Sequence, residues 1–497
     1  MTKQTPPTAP SAASRLARLI LNDKFVHLFK DREGRTYVDV YERPGQLETL
    51  ELPSPAANEW LRRRQYKIGG GALSATALGE VVGLLRAKAL YEASPTVQVF
   101  VRVGEVNGTI FIDRGAPDWE IVKIDAHRWD LISYRSCPVR FRRDPQMAEL
   151  PRPVGGGSIE LLRRFANVAE ADWPLVLGFL VASLRPQGPY PLMALIGGQG
   201  DGKSTTARVL QRLIDPRKGD LNAPPRDPRD LAAIAHGCWL PAFDNLSSVS
   251  AQLSDALCRL ATGGTFGGRQ LYTDFDQATF TAQRPVILTS ITEVVARPDL
   301  LDRALMLRMV PIGPGKRAYE GDFWKAFQAA EPQILGAIYE AISVALKNVD
   351  STTIANPPRL ADFARWTSAA LPGFGIAGAD FLEAYEVNRQ RSQEIALDSS
   401  PIADRVLSLA NMGWEGTATQ LLKDFEDSLP FIVTRAPGFP RSGRAVRNAL
   451  DRLRPSLEAA GVEIGFGRTN ARRVITLRSV TVRHPDSHLE MEAPTLN

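Results

Sequence analysis

Eight consecutive residues, Gly197-Gly198-Gln199-Gly200-Asp201-Gly202-Lys203-Ser204, carry the spacing G-x-x-x-x-G-K-[ST]. Glycines at these positions let the backbone turn tightly, so that successive N–H groups can point inward at phosphate oxygens. Lys203 adds a point charge for the β- and γ-phosphates of a nucleotide, and the Ser204 hydroxyl is placed to ligand Mg²⁺. Such a loop needs a strand before it and a helix after it. Leu192-Met193-Ala194-Leu195-Ile196 reads as a buried strand, and Thr205-Thr206-Ala207-Arg208-Val209-Leu210 as a helix start whose positive end attracts phosphate. Gly197 through Thr205 are therefore the expected nucleotide contacts.

A second chemical element follows in Trp239-Leu240-Pro241-Ala242-Phe243-Asp244-Asn245. An apolar strand that ends in an acid places a carboxylate at the strand's carboxyl end, where it can reach Mg²⁺ beside the phosphates. The histidines do not join this chemistry. His236 reads as the last turn of a short helix, and His27, His127, His484 and His488 are scattered. The three cysteines, Cys137, Cys238 and Cys258, form no C-x-x-C pair, which argues against structural zinc and against a disulfide framework.

These elements sit in a chain of 497 residues, long enough for two to four domains. With 44% hydrophobic and 23% charged residues it reads as a soluble globular protein. The longest apolar run, Pro174 to Leu184, is too short for a bilayer, and no signal peptide is evident, so a cytoplasmic location without membrane contact is expected. Residues 1–16 read as a disordered lead-in. Over 17–150 the pattern is mixed α/β. Thr36 to Tyr41 alternates like a strand, and Ser74 to Glu92 has helical spacing. Val97 to Val103 and Thr109 to Ile112 flank Asn107-Gly108, a hairpin signal. A second hairpin is expected over Glu120 to Ile124 and Trp129 to Ser133, and Val139 to Arg143 closes the meander with one basic face, either a phosphate contact or a solvated edge strand blunted by charge. Leu150 to Gly157 looks like a linker.

Beyond Asp244 lie Thr262-Gly263-Gly264 and Arg269-Gln270-Leu271-Tyr272-Thr273-Asp274, then the strand Val286-Ile287-Leu288-Thr289-Ser290, then Asp299-Leu300-Leu301-Asp302-Arg303. With the glycine loop and the acid, this order resembles superfamily III helicases, the AAA+ ATPases of viruses, phages and plasmids, and among them the poxvirus- and phage-type primase-helicases. The resemblance covers about residues 159–312. It implies that Asp244 organises Mg²⁺ and that Thr289 or Ser290 faces the γ-phosphate as a polar sensor. It also implies that Arg303 is a finger reaching a neighbouring subunit's site in a homo-oligomeric ring. Arg269 and Tyr272 would meet single-stranded DNA in the central pore. Two positions depart from the pattern. Asn245 stands where many AAA+ motors keep a glutamate to polarise the attacking water, and Thr289 stands where an asparagine is usual. Either hydrolysis is slow or another acid, such as Asp255, is the base.

Tyr319 to Leu346 has a helical apolar stripe, and further helices run through Phe363 to Trp366 and Phe381 to Arg391. After Ser399-Ser400-Pro401 come three helical stretches, ending at Ala410, Phe425 and Ala460, and then two strands, Val462 to Phe466 and Arg473 to Leu477. This is a winged-helix pattern. Between Arg435 and Arg478 there are ten arginines against three acids, which suits phosphates and guanine edges. Arg441, Arg444, Arg447, Arg452 and Arg454 fall on or beside the third helix and Arg468, Arg472 and Arg473 on the wing. Duplex DNA is the expected partner there, with Arg444, Arg447, Arg468, Arg472 and Arg473 as contacts.

The expected fold is thus α/β, with a mixed N-terminal domain over 17–150 and an AAA+ ATPase core over 159–315. A helical lid over 316–398, a winged helix over 399–480 and a disordered tail over 481–497 complete it. By resemblance the function is an ATP-dependent DNA helicase of a phage- or plasmid-like replication system, using ATP and Mg²⁺. No zinc ribbon or paired-acid polymerase site supports a primase. The rivals are a DNA-binding ATP switch that does not translocate and, behind it, a P-loop kinase.

Overall fold

The computed structural model describes residues 11–480 apart from 44–45, 70, 93–95, 270–276, 314, 316, 437 and 469–471. The tail expected at 481–497 lies outside the described residues, as do the first ten residues of the expected lead-in. The rest of that lead-in is helical. In α1 (Ala12–Leu21) the Ser11 hydroxyl caps the helix by accepting from the Ser14 N–H, and Ala13, Leu16, Ala17 and Ile20 are buried. Apolar residues at three- and four-residue steps outweigh the composition that suggested disorder. Three antiparallel strands follow, β1 (Val26–Lys30), β2 (Thr36–Arg43) and β3 (Gln46–Leu52), then α2 (Pro55–Gly69) and α3 (Ala75–Tyr91). Val38 and Val40 of β2 and Leu52 of β3 meet Leu16, Trp60, Leu61, Val81 and Leu85 in a core of their own.

The second part comprises β4 (Val99–Phe100), β5 (Val103–Val106), β6 (Thr109–Asp113), β7 (Glu120–Ile124), β8 (Trp129–Ser133) and β9 (Arg140–Phe141). β5 to β8 form an antiparallel meander, turning at Asn107-Gly108, both with positive φ (52° and 73°). The expected single strand from Val97 to Val103 is broken, because Arg102 is left-handed (φ 63°). Its first piece, β4, pairs in parallel with β9. The expectation that Val139 to Arg143 closes the meander with a free basic face is therefore corrected. Arg140 Nε bonds Asp39 at 2.7 Å, Arg142 Nη2 bonds the His236 carbonyl at 2.5 Å, and Arg143 Nη2 bonds Asp113 at 2.7 Å.

After 3₁₀ turns at Ile159–Arg164 and Glu170–Asp172 come α4 (Trp173–Ser183), β10 (Leu192–Ile196), α5 (Lys203–Ile214), α6 (Pro228–Gly237), β11 (Ala242–Leu246) and α7 (Ala251–Thr262). The hairpin β12 (Gly264–Arg269) and β13 (Gln277–Ala282) precedes β14 (Val286–Ser290), α8 (Pro298–Leu301) and β15 (Ala304–Arg308). Four strands form a parallel sheet in the order β11-β14-β10-β15. Its strands are apolar on both faces, as a sheet covered on both sides requires. Met193, Leu195, Ile287, Leu305 and Leu307 turn to one core, shared with α4, α5 and the meander's Val103, Ile112 and Val122. Leu192, Ala194, Phe243, Leu288 and Met306 turn to another, with α6 and α7. The meander thus belongs to the core of the parallel sheet, and the boundary expected at residue 150 does not coincide with a break in packing. The linker expected over 150–157 is also packed: the Val154 N–H donates to the Pro332 carbonyl, and a Cβ on Gly157 would stand 1.9 Å from the Gln333 carbonyl oxygen.

Three helices, α9 (Glu320–Asn348), α10 (Ala361–Ala370) and α11 (Gly378–Asp398), complete this core. The remainder holds α12 (Ala403–Asn411), β16 (Glu415–Gly416), α13 (Ala418–Ser428), α14 (Phe431–Arg435), α15 (Gly443–Ala459), β17 (Val462–Arg468) and β18 (Arg473–Ser479). Val406, Leu421, Phe425, Val446, Leu450, Leu457, Ile464 and Leu477 form its separate core. Helices α12, α13 and α15 and the hairpin β17–β18 stand where three helices and two strands were expected; α14, between the second and third helix, and β16, which pairs with β18 to make the sheet three-stranded, are additions.

Candidate nucleotide-binding site

β10 ends where the glycine loop begins, and α5 starts at Lys203. Gly200 (φ 88°) and Gly202 (φ 79°) are both left-handed, a conformation that side chains strain to adopt. The buried Lys203 folds back across the loop, with Nζ donating to the Gly197 carbonyl at 2.9 Å and the Gly198 carbonyl at 2.6 Å. The Gly198 N–H is held by Asp201 Oδ2 at 2.6 Å, so a carboxylate already binds one of the loop's donors. Gln199 is exposed and Thr205 half-buried on the first turn of α5.

Asp244, near the carboxyl end of β11, meets this loop. Ser204 Oγ donates to its two oxygens at 2.8 and 3.0 Å. Thr289, fully buried on β14, donates its hydroxyl to Asp244 Oδ1 at 2.5 Å and accepts the Asn245 N–H at 2.8 Å. The hydroxyl assigned by resemblance to phosphate sensing is thus committed to the acid. Asn245 is left-handed (φ 54°) and exposed, at a register shift in β11 between Phe243 and Leu246. Asparagine tolerates that conformation better than glutamate does. Asp255 lies on α7, with Arg297 at 3.0 Å.

Residues that sequence reasoning passed over complete the site. Asn167 ties the loop to the end of the sheet: Nδ2 donates to the Asp201 carbonyl at 2.8 Å and to the Val310 carbonyl at 2.6 Å, and its N–H donates to Thr206 Oγ1. Beside it opens a cavity of about 630 Å³, within the usual size of ligand pockets. Phe165, Ile312, Phe323 and Trp324 give it apolar walls, and Arg163, Arg164 and Arg317 a charged rim. No motif marks these residues, because they come from chain segments before and after the sheet.

Arg303 lies at the other end. Its carbonyl accepts from the Leu192 N–H, where β10 begins, whereas Arg308 is the partner of Ile196 beside the loop. Five strand residues separate the two ends, roughly 16 Å. Arg303 Nη1 donates to the Asp299 carbonyl at 2.5 Å, and its buried Nε has no hydrogen-bond partner among the described residues. It does not meet its own chain's loop. Arg269 is in β12 opposite Gln277, and Tyr272 lies outside the described residues.

In the C-terminal part the arginines divide. The Arg447 guanidinium lies 4.0 Å from the centre of the Phe466 ring and that of Arg454 4.9 Å, and Asp451 sits 3.7 and 3.4 Å from the two. They fasten α15 to β17. Arg452 lines a small joint with Asp299 and Asp302 beside α8 and Arg389 of α11. Arg444, Arg468, Arg472 and Arg473 are exposed, and Arg468 stands directly opposite Arg473 in the ladder. Like charges placed so oppose pairing.

The chain thus joins a parallel sheet with a glycine loop to a C-terminal domain of helices and a small antiparallel sheet. Residues 159–390 match the family of the actinomycete integrative conjugative element replication protein, and residues 402–489 match the AICE RepA C-terminal domain. The two matches fall in chain order, the longer covering just under half of the chain, and together they support a replication protein of such a mobile element. No curated protein matches the chain. Among solved structures, one titled as the active helicase Cch of SCCmec type IV is 14% identical with a TM-score of 0.48, covering 92% of this chain and 93% of that one. The apo C-terminal region of NrS-1 is 10% identical with a TM-score of 0.40, covering 93% and 98%. Among the described residues no helix is long and apolar enough to cross a membrane.

Proposed function

We propose that this replication protein is an AAA+ ATPase of the superfamily III type that moves along or unwinds DNA as a ring of identical subunits. The observation that carries the reading is the meeting of Lys203, Ser204, Asp244 and Thr289 at the carboxyl end of the parallel sheet. In an α/β sheet this is where ligands bind. Backbone N–H groups of Gly198 to Lys203 and the Lys203 ammonium hold the phosphates of ATP. Ser204 and Asp244 would hold Mg²⁺, which supplies charge neutralisation at the β- and γ-phosphates. Thr289 keeps the Asp244 carboxylate aimed at that position, and the cavity beside Asn167 takes the base and ribose.

Arg303 cannot serve its own chain's loop across the sheet, so as a finger it serves the next subunit, which favours a ring. Within the ring Arg269 and Tyr272 meet single-stranded DNA. Arg444, Arg468, Arg472 and Arg473, with Arg447 in a partly structural role, hold duplex DNA through the winged helix. The like-charged pair Arg468 and Arg473 supports this, because a polyanion offsets their repulsion. A second reading, an ATP switch that does not translocate, is favoured by Asn245, which offers no carboxylate to activate water.

ATP turnover of the full chain, measured with and without single-stranded DNA, tests the reading. Turnover is expected to rise with DNA, and Lys203→Ala is expected to abolish it with the melting temperature unchanged. Normal turnover in that variant would remove the loop from the mechanism. Strand displacement by the wild type then separates a motor from a switch.

A further inference from the structure

Phe431 and Ile432 stand 75% and 80% exposed on α14, a five-residue helix with no buried residue. Side chains of this kind are normally among the most buried. The helix is nevertheless anchored. Arg441 Nη1 donates to the Thr434 carbonyl at 2.6 Å, and the Thr434 hydroxyl donates to the Phe431 carbonyl at 3.0 Å. The Arg435 guanidinium lies 5.1 Å from the centre of the Phe431 ring. From Leu429 to Leu450 the chain carries four arginines and no acid, and it leads directly into the first turn of α15, where Arg444 is exposed.

Size and charge select the occupant. An aromatic side chain buries roughly 150–250 Å². Two large side chains therefore fall well short of the ~800 Å² that each partner of a stable protein pair contributes. A nucleic-acid base is a flat ring of matching size attached to a phosphate, and a phenyl ring stacks on any base. Within a duplex both faces of a base are covered by its neighbours; only an unpaired base at an end or junction offers one. We propose that α14 is a stacking tip for an unpaired DNA base next to the duplex held by α15, with Phe431 on the base, Ile432 beside it, and Arg435 and Arg441 on the adjoining phosphates. The proposal rests on the DNA-binding reading of this domain and adds to it the single-stranded part of the substrate.

The test uses the full chain and two DNAs, a blunt duplex and the same duplex with a single-stranded extension carrying 2-aminopurine at the first unpaired position. The wild type is expected to prefer the extended DNA and to quench the probe. Phe431→Ser with Ile432→Ser should remove the quench and reduce affinity for the extended DNA by about fivefold to a hundredfold, the range that base–aromatic stacking gives. Affinity for the blunt duplex and the melting temperature should not change, and Phe431→Trp should keep both preference and quench. An unchanged preference in the double variant overturns the proposal. An equal loss on the blunt duplex overturns the single-stranded assignment in favour of a wedge in paired DNA. Loss of oligomeric mass with the preference intact makes the tip a contact between copies. A wild type that binds neither DNA removes the DNA-binding reading itself.

Discussion

Residues 99–150 and 435–478 are both rich in arginine, and the fold treats particular members of the two sets in opposite ways. Arg102, with no exposed surface, gives Nε to Asp215 at 2.9 Å, Nη1 to the Asp113 carbonyl and Nη2 to the carbonyls of Ala148 and Pro216. Arg114 is encircled by Asp118, Glu120 and Glu149. In the C-terminal part Arg444, Arg468 and Arg473 keep their guanidinium groups in water, and the ladder even sets two of them against each other. The residue type is the same; what differs is whether acids and carbonyls from distant segments converge on it. A local excess of arginine therefore identifies a phosphate-binding face only where the fold supplies no internal acceptors.

Arg303 falls between these cases, half-buried and bonded to one carbonyl, and the largest effect is expected from it. Arginine fingers acting between subunits contribute about 10³–10⁵ in rate. Arg303→Ala and Lys203→Ala proteins, each inactive alone, should recover ATP turnover on mixing, because some interfaces in the mixed ring hold both residues. If mixed assemblies form and remain inactive, Arg303 belongs with the structural arginines.

Arg102→Ala should cost about 3–5 kcal/mol, since it strands Asp215 without its buried partner. The loss would be read as a lower denaturant midpoint in a single transition for meander and sheet, with DNA affinity per folded molecule unchanged. A separate, earlier transition of the meander would contradict the shared core.

The opposite result is expected for Arg444, Arg468 and Arg473 changed together to Ala. Stability should hold while duplex affinity falls, and the slope of log K against log salt should flatten by about 0.9 for each phosphate left without its arginine. An unchanged slope would show that the exposed arginines serve something other than DNA.

The smallest effect concerns Glu331 of α9, the buried partner of Arg212 at 2.9 Å. Burial pushes its carboxyl up to about 7, against the opposing pull of Arg212. Folded protein then holds a proton that the unfolded chain releases between about pH 4.5 and 7, so this group's contribution to stability falls as pH rises through that window. Glu331→Gln should be increasingly favoured over the wild type from pH 5 to pH 8 in thermal melts. A constant difference across that range would mean that Arg212 holds the carboxylate ionised throughout.

The glycine loop with its strand and helix, the acid of β11, the Asn107-Gly108 hairpin and the three long C-terminal helices were legible in the sequence. Each is a local matter of spacing, turn chemistry or apolar period, carried by residues close together in the chain. The chain by itself also marked Arg303 as a residue of interest, but not which end of the sheet it occupies. The tertiary structure decided what depends on distant segments meeting. Thr289 became the partner of Asp244 because β14 lies beside β11, and Asn167 joined the loop because the segment before α4 passes over the end of β15. Arg140, Arg143 and Arg102, which flank the meander, were taken out of any phosphate-binding role by Asp39, Asp113 and Asp215, and Arg447 was half withdrawn by a ring nineteen residues away in β17. A guanidinium's role is fixed by the acceptors around it, and only the folded chain brings those acceptors within a few ångströms.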